Sequence, residues 1–221
     1  MTKLQILYVT SSTYKAEENR LFVERCKLAD GTPVHDMFAF EIVQVPITEI
    51  LSEDLRVMVT DEVAKAYHQL RTPCIVEHAG LIFDDYAKVS YPGGLTKPMW
   101  NVLGANFIQE TNSAGRGAIA RAVVAYCDGI SVHTFDGETH GVLADAPRGH
   151  RDFYWDTIFI PDDPSGRTAD KTYAEIVEDT SLGLPYKVEQ LSQSSKAMIK
   201  FLEHLRITGP SALWPNTAFV L

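Results

Sequence analysis

Positive charge is what this chain has least of. It carries 20 Lys and Arg against 29 Asp and Glu, a formal net charge of −9, with a pI near 5.2. A surface of that balance argues against binding a nucleic acid polymer or an anionic membrane through its whole face. It leaves room for a local basic pocket that takes a small anion. Cysteine is scarce too: Cys26, Cys74 and Cys127 stand far apart with no C-x-x-C spacing. They read as reduced, mostly buried thiols of a cytoplasmic protein. No apolar run is long enough to cross a bilayer, and the opening MTKLQILYVTSS has no signal-peptide cleavage pattern. Neither G-x-x-x-x-G-K-[ST] nor G-x-G-x-x-G occurs, which removes the P-loop and the dinucleotide fingerprint. Repeats, low-complexity tracts and an obvious interdomain linker are missing as well.

What is present is ordinary in amount and ordered in pattern. The hydrophobic fraction is 45% and the charged fraction 22%, enough in 221 residues for a real core in one large α/β domain or two small lobes. Leu4 to Val9 reads as a strand. A polar turn and a helix through KAEENRLFVERCKL follow, with Ser11, Ser12 or Thr13 as its cap. Ala39 to Val45 is a second strand. Ser52 to Leu70 is a helix, with Leu55, Val59, Val63 and Tyr67 recurring every four residues. Pro73 to Glu77 is a third strand, which Leu81 to Phe83 extends past a glycine. After the turn Tyr91–Gly94 and a helix from Lys97 or Pro98 into Asn106, the texture changes. Ala118 to Tyr126, Ile130 to Phe135 and Thr139 to Leu143 read as short strands separated by CDG and DGE, two hairpin signals. Thr157 to Ile160 is a further strand, and Ala197 to Ile207 a closing amphipathic helix. Strand–helix–strand units followed by a meander predict a mixed sheet with flanking helices, and a cleft where the two textures meet.

Four stretches can carry chemistry. Thr10 to Lys15, TSSTYK, puts hydroxyls, backbone N–H groups and a lysine at a helix N-terminus, which suits an anion as well as a plain cap. VEHAGL, 76–81, places Glu77 and His78 where an apolar run stops. Successive strand residues point to opposite faces, so the two are not expected to share a site. Ala146 to Asp163 packs two arginines, Phe153, Tyr154, Trp155 and Asp156 into a few residues. An aromatic there can stack on a flat ring and Asp156 can accept from ring N–H groups, or the cluster is simply core. YPGGLTK, 91–97, leads a glycine turn into Lys97.

In this order the four stretches resemble the inosine triphosphate pyrophosphatase family, the house-cleaning hydrolases that remove aberrant purine nucleotides. The family's T-G-N-x-x-K loop reads here Thr10-Ser11-Ser12-Thr13-Tyr14-Lys15. Its acidic pair before a glycine reads Glu77-His78-Ala79-Gly80-Leu81. Its P-G turn and lysine read Pro92-Gly93 and Lys97. The longest match is P-R-G-x-x-x-F-G-[YW]-D-P-x-F-x-P-D followed by T-[FY]-A-E. It reads Pro147-Arg148-Gly149, Phe153-Tyr154-Trp155-Asp156, Phe159, Pro161-Asp162 and Thr172-Tyr173-Ala174-Glu175. The likeness covers nearly the whole chain as one domain, 1–221, with insertions around Asp163 to Asp170 and a longer C-terminus.

The resemblance implies an elongated mixed sheet with helices around it, two lobes about a deep cleft, and a homodimer. It implies hydrolysis of a nucleoside triphosphate to the monophosphate and pyrophosphate with Mg²⁺. Thr10, Ser11, Ser12, Lys15 and Lys97 would hold phosphates, with Ala79 beside them. Phe153, Tyr154, Trp155, Asp156, Lys187 and Gln193 would hold the base. Glu49 and His78 would be metal ligands, with His78 and Lys15 the catalytic pair. The departures fall on these positions. His78 stands for a metal-linked aspartate, and imidazole suits Mn²⁺ or Zn²⁺ better than Mg²⁺, though it can also act as a base near neutral pH. Ser12 replaces the loop asparagine and Tyr154 a glycine. Ser192-Gln193-Ser194 replaces the purine-reading S-H-R, and Lys187 fits the lysine before it only with a shift of one residue. Two readings stay open: a pyrophosphohydrolase with altered base preference, and a nucleotide-binding relative with little or no catalysis.

Overall fold

Apolar alternation and caps build the elements where the sequence places them, in a computed structural model that describes residues 3–151 and 153–210. β1 (Leu4–Val9) is buried from Ile6 onward. α1 (Thr13–Arg25) follows at once, capped by Ser12, whose hydroxyl accepts from the Lys15 N–H at 3.3 Å. A one-turn helix α2 (Val34–Met37) leads into β2 (Phe38–Val43). α3 (Leu55–Leu70) starts at the Asp54 cap and buries Leu55, Val59, Val63 and Ala66, spaced three to four apart. β3 (Cys74–Phe83), α4 (Thr96–Leu103) and the short α5 (Phe107–Glu110) come next. β4 (Gly117–Cys127), β5 (Val132–Leu143) and β6 (Phe159–Pro161) form the meander. The chain then runs through α6 (Tyr173–Glu178), α7 (Gly183–Tyr186) and α8 (Gln193–Thr208). Residues 211–221, where the longer C-terminus expected from the resemblance would fall, lie outside the described residues.

One sheet of six strands carries everything, in the order β2-β1-β3-β4-β5-β6. β1 is parallel to β2 and β3, and the remaining pairs are antiparallel. This is the mixed sheet that the two textures predicted. Ile6, Tyr8 and Ile75 face α1 and α8 in one apolar cluster. Leu7, Val9, Cys74 and Val76 face α3 in another. Leu81, Phe83, Trp100, Trp155, Phe159 and Tyr173 form a third core around the far half of the long strands. Two lobes thus share β3, β4 and β5. All three cysteines are free and buried, and no helix among the described residues is long and apolar enough to cross a membrane.

Three expectations change. The third strand does not stop at Glu77: β3 runs unbroken through Glu77, His78 and Gly80, so VEHAGL is the middle of a strand. The DGE signal is no hairpin. β5 passes straight through Gly137, where a Cβ would lie 1.9 Å from the Gln193 carbonyl oxygen. That glycine admits the start of α8, and close approach of another backbone is the second common reason for glycine in a strand. The strand expected at Thr157 to Ile160 begins at Phe159, because Tyr154 to Thr157 close into a 3₁₀ turn.

Gly80 seats the second lobe in the same way. A Cβ there would sit 2.1 Å from the Gly93 carbonyl oxygen. The Pro92–Leu95 turn therefore lies directly on β3. Thr96 locks it, donating to Gly93 O at 2.7 Å and accepting from the Leu81 N–H at 3.0 Å. Lys97 is the next residue. Replacing Gly80 by alanine must push this turn off the strand. Overpacking of this kind costs about 1–3 kcal/mol, so Gly80→Ala is expected to lower the urea midpoint by a corresponding amount. An unchanged midpoint would mean that the turn is not seated on β3.

Candidate active site

The cleft forms where a strand is missing. β1 pairs with β3 only at Leu7–Cys74 and Tyr8–Ile75, then ends at Val9. Beyond Ile75 the edge of β3 has lost its neighbour, and the chain turns away into the α1 cap. An open cleft of about 850 Å³ lies there, at the carboxyl ends of parallel strands, where α/β sheets place their ligands. All fourteen positions that the sequence singled out line it: Thr10, Ser11, Ser12, Lys15, Glu49, His78, Ala79, Lys97, Phe153, Tyr154, Trp155, Asp156, Lys187 and Gln193.

At one end the TSS loop is folded onto itself. Thr10 Oγ1 accepts from the Ser12 N–H at 3.2 Å, and the first N–H groups of α1 have no partner within their own helix. Lys15 is committed to Glu77. Its ammonium lies 2.9 Å from the carboxylate and also donates to the Glu77 carbonyl oxygen on the open strand edge. Two of three ammonium protons are thereby used, and one remains. Glu77 further accepts from Tyr8 Oη at 3.1 Å and from Ser194 Oγ at 3.0 Å. Burial alone would raise its carboxyl, but Lys15, then His78 and Ser194, hold it below the usual carboxylate range. Burial pulls Lys15 down, and Glu77 more than restores it. Both groups stay charged.

Glu77 and His78 point to opposite faces, as alternation requires, yet both line the cleft. The expectation that they serve different sites is corrected. With no strand beside them, both faces of β3 open into one space. On the α3 side His78 Nε2 is hydrogen-bonded to Glu62, the two side chains being 12% and 15% exposed. Glu49, from the segment between β2 and α3, joins them. One ligand atom from each of Glu49, Glu62 and His78 lies within 4.8 Å of the others. Lys97 stands 3.8 Å from Glu49.

The far end is aromatic and charged. Trp155 is mostly core, packed on Phe159 and Tyr173, so only its edge reaches the cleft. Phe153 stacks on Tyr14 at 4.8 Å between ring centres. Tyr154 adopts φ +50°, the left-handed region, where an L side chain costs about 1–2 kcal/mol. The related motif has glycine at this position for that reason. The Lys97 ammonium lies 5.8 Å above the Tyr154 ring. Beneath, Lys187 donates to Asp156 at 2.6 Å and to Glu18 at 3.0 Å, all but sealed from water. Arg151 meets Glu17 at 3.2 Å and Glu18 at 3.4 Å. Burial pushes the Asp156 carboxyl up to about 6 against the pull of Lys187, with Glu18 adding to the rise.

The stretch between Lys187 and the α8 cap departs from regular α-helix. Lys187 to Leu191 form a π turn, the usual way for a helix to absorb one extra residue. It keeps Lys187 on Asp156 while Ser192 still caps α8. The T-Y-A-E motif is a capping box, Thr172 with Glu175. Sequence reasoning missed Glu18, Glu62, Glu77 and Ser194. Glu18 was one of two adjacent acids on a helix. Glu62 lay inside a helix read only for its apolar stripe. Glu77 was set aside on strand alternation, and Ser194 was read only as a lost arginine.

A family model described as the Ham1 family matches residues 6–204. An inosine triphosphate pyrophosphatase of Kluyveromyces lactis is 30% identical over 216 residues, 95% of this chain and 100% of that protein. A dITP/XTP pyrophosphatase of Hyperthermus butylicus is 28% identical, over 93% of this chain and 96% of that protein. Among solved structures, a HAM1 protein from Coxiella burnetii superposes with a TM-score of 0.59 at 20% identity, over 91% of this chain and 99% of that one. The Staphylococcus aureus Ham1 protein gives 0.57 at 18% identity, with the same coverage. At those identities the structures establish the shared fold.

Lys187 hydrogen-bonds both Asp156 and Glu18 at 2.6 and 3.0 Å, while Arg151 reaches the same two acids only at 4.0 and 3.4 Å. Removing one partner from a buried ion pair costs about 3–5 kcal/mol, because the remaining charge is stranded. Lys187→Met is expected to destabilise the fold by that amount in urea denaturation, and Lys187→Met/Asp156→Leu to recover much of it. A single variant as stable as the parent would show the pair to be hydrated.

Proposed function

The chain belongs to the Ham1 family and is a nucleoside triphosphate pyrophosphatase, and from that premise we propose how its cleft divides the work and which substrate it prefers. The carrying observation is convergence. The TSS loop with Lys15, the lysine after the glycine turn, and the aromatic–acid segment all line one cleft. In this reading the triphosphate lies along Thr10 to Lys15 and Lys97, and the base lies against Phe153 and Tyr154. Asp156 accepts from a ring N–H, with Lys187 beside it and Gln193 in place of the family's imidazole. Water attacks the α-phosphorus, the bond to the bridging oxygen of the leaving pyrophosphate breaks, and one proton is released. Lys15 and Lys97 take up charge that develops on the leaving group. A homodimer is part of the same reading.

A divalent cation fits the residues present. Glu49, Glu62 and His78 bring two carboxylates and an imidazole to one point, and these would hold it. When bound it supplies charge neutralisation at the phosphates.

Base preference is the finer part of the proposal. Tyr154 adds a ring where the family has glycine, and Gln193 and Ser194 replace the histidine and arginine of the purine reader. Gln193 Oε1 lies 3.1 Å from Tyr173 Oη and is largely withdrawn into the core. A more crowded slot with weaker edge contacts favours a smaller or modified base. Purified protein assayed against aberrant, modified and ordinary ribo- and deoxyribonucleoside triphosphates is expected to release pyrophosphate and monophosphate one to one. One or a few substrates should dominate, and only with a divalent ion. Inosine or xanthosine triphosphate leading by a wide margin would refute the altered preference. No pyrophosphate from any substrate, with nucleotide still bound, would refute catalysis itself.

A pH dependence follows from Asp156. Its carboxylate accepts from a ring N–H more strongly than the neutral acid does, and burial pushes its pKa up to about 6. The apparent KM of the preferred nucleotide is therefore expected to fall as pH rises through about 6, because the ionised fraction of Asp156 grows. Asp156→Asn should abolish that step while raising KM across the range. A parent profile flat through this window would remove Asp156 from base recognition.

A further inference from the structure

Three segments meet at Glu49, Glu62 and His78: the segment after β2, the inner face of α3, and the open edge of β3. Glu62 and His78 are largely shielded and already in contact, while Glu49 is 40% exposed and closes the group from the solvent side. Two carboxylates and a neutral imidazole carry a charge of −2, the complement of one divalent ion. Three protein donors also leave free positions on a six-coordinate ion for water and phosphate oxygens. The donor set is not one that Mg²⁺ selects. Mg²⁺ takes oxygen ligands and keeps its waters, whereas Mn²⁺, Co²⁺ and Zn²⁺ accept imidazole nitrogen readily.

We propose that Glu62 is the third ligand of a protein-held site, Glu49–Glu62–His78, which selects a nitrogen-accepting divalent ion such as Mn²⁺ over Mg²⁺ and is filled before the nucleotide arrives. This rests on the reading of the cleft as a pyrophosphohydrolase site, and it assigns His78 as a ligand. His78 Nε2 and Glu62 are hydrogen-bonded to each other in the structure, so the two donor atoms are already brought together. Glu62 holds the imidazole in position for the ion. The β3 edge fixes His78 from the other side, so the pair is set up by the fold and not by substrate.

The test uses the full chain without nucleotide. Calorimetric titration with Mn²⁺ is expected to show one site per chain, at least about tenfold tighter than Mg²⁺. The electron spin echo spectrum of the bound Mn²⁺ should show coupling to a single imidazole nitrogen. Glu62→Gln and His78→Ala should each weaken Mn²⁺ binding by about 10–100-fold. His78→Asp should lose the nitrogen coupling and bring Mg²⁺ binding up toward that of Mn²⁺. Thermal melts of each variant separate lost binding from lost fold. Equal affinity for the two ions, an absent nitrogen coupling, or a folded Glu62→Gln protein that binds Mn²⁺ like the parent would each overturn the proposal. Pyrophosphate release keeps the two readings apart. Turnover with Mg²⁺ and no metal bound by the free protein sinks the site and leaves the hydrolase. Tight Mn²⁺ binding with no pyrophosphate from any nucleotide does the reverse.

Discussion

The cleft has too much negative charge for the substrate it must take. Five carboxylates line it, Glu18, Glu49, Glu62, Glu77 and Asp156, against the ammonium groups of Lys15, Lys97 and Lys187. Each lysine already faces an acid: Lys15 on Glu77, Lys187 on Asp156 and Glu18, Lys97 near Glu49. A triphosphate brings several more negative charges beside these carboxylates, where like charges repel. Side chains alone do not offset that. Glu62 is the lining carboxylate that faces no lysine, and it sits beside His78 and Glu49.

The fold creates this space by ending a strand early. Were β1 two or three residues longer, it would cover the β3 edge from Val76 onward and bury Glu77 and His78 on separate faces. Because it ends at Val9, consecutive residues of β3 address one cleft from two sides. The Glu77 carbonyl oxygen, which a neighbouring strand would have used, is instead taken by Lys15. Gly80 and Gly137 then let two other segments close on the sheet, the turn before Lys97 and the start of α8. The Lys97 turn and the start of α8 are thus fixed by backbone contacts with the same long strands.

The elements were legible because each obeyed a local rule: a short apolar run of strand formers in β1, a four-residue stripe in α3, a serine cap before α1. The errors came where one residue type serves two purposes. Gly137 looked like a turn and is a point of close packing. Glu77 obeyed strand alternation, but alternation sorts residues into separate sites only when a sheet is continuous, and here it is not. Glu62 was illegible for a different reason. Its partner lies on another element sixteen residues away, and nothing in the local pattern of a charged helix marks a carboxylate that faces inward. The resemblance to a family supplied the set of cleft residues; the structure supplied their pairings.

Those pairings bear on whether the departures from the family pattern amount to decay. A relic that had lost its chemistry would leave the remaining charged groups without partners, since nothing would select for their repair. Here every departure is matched. His78 has Glu62, Ser194 donates to Glu77, Gln193 bonds Tyr173, and Tyr154 lies under Lys97. Tyr154 is the most telling, because it holds a left-handed backbone conformation that a glycine would adopt at no cost. Strain kept in place of a cheaper residue, at the wall of a cleft and beside a phosphate-side lysine, points to a side chain retained for what it touches. Lys15 and the Asp156–Lys187 pair match the family pattern, while His78, Tyr154, Gln193 and Ser194 depart from it and line the same cleft. Those contacts are what the proposed change of ion and of base would draw on.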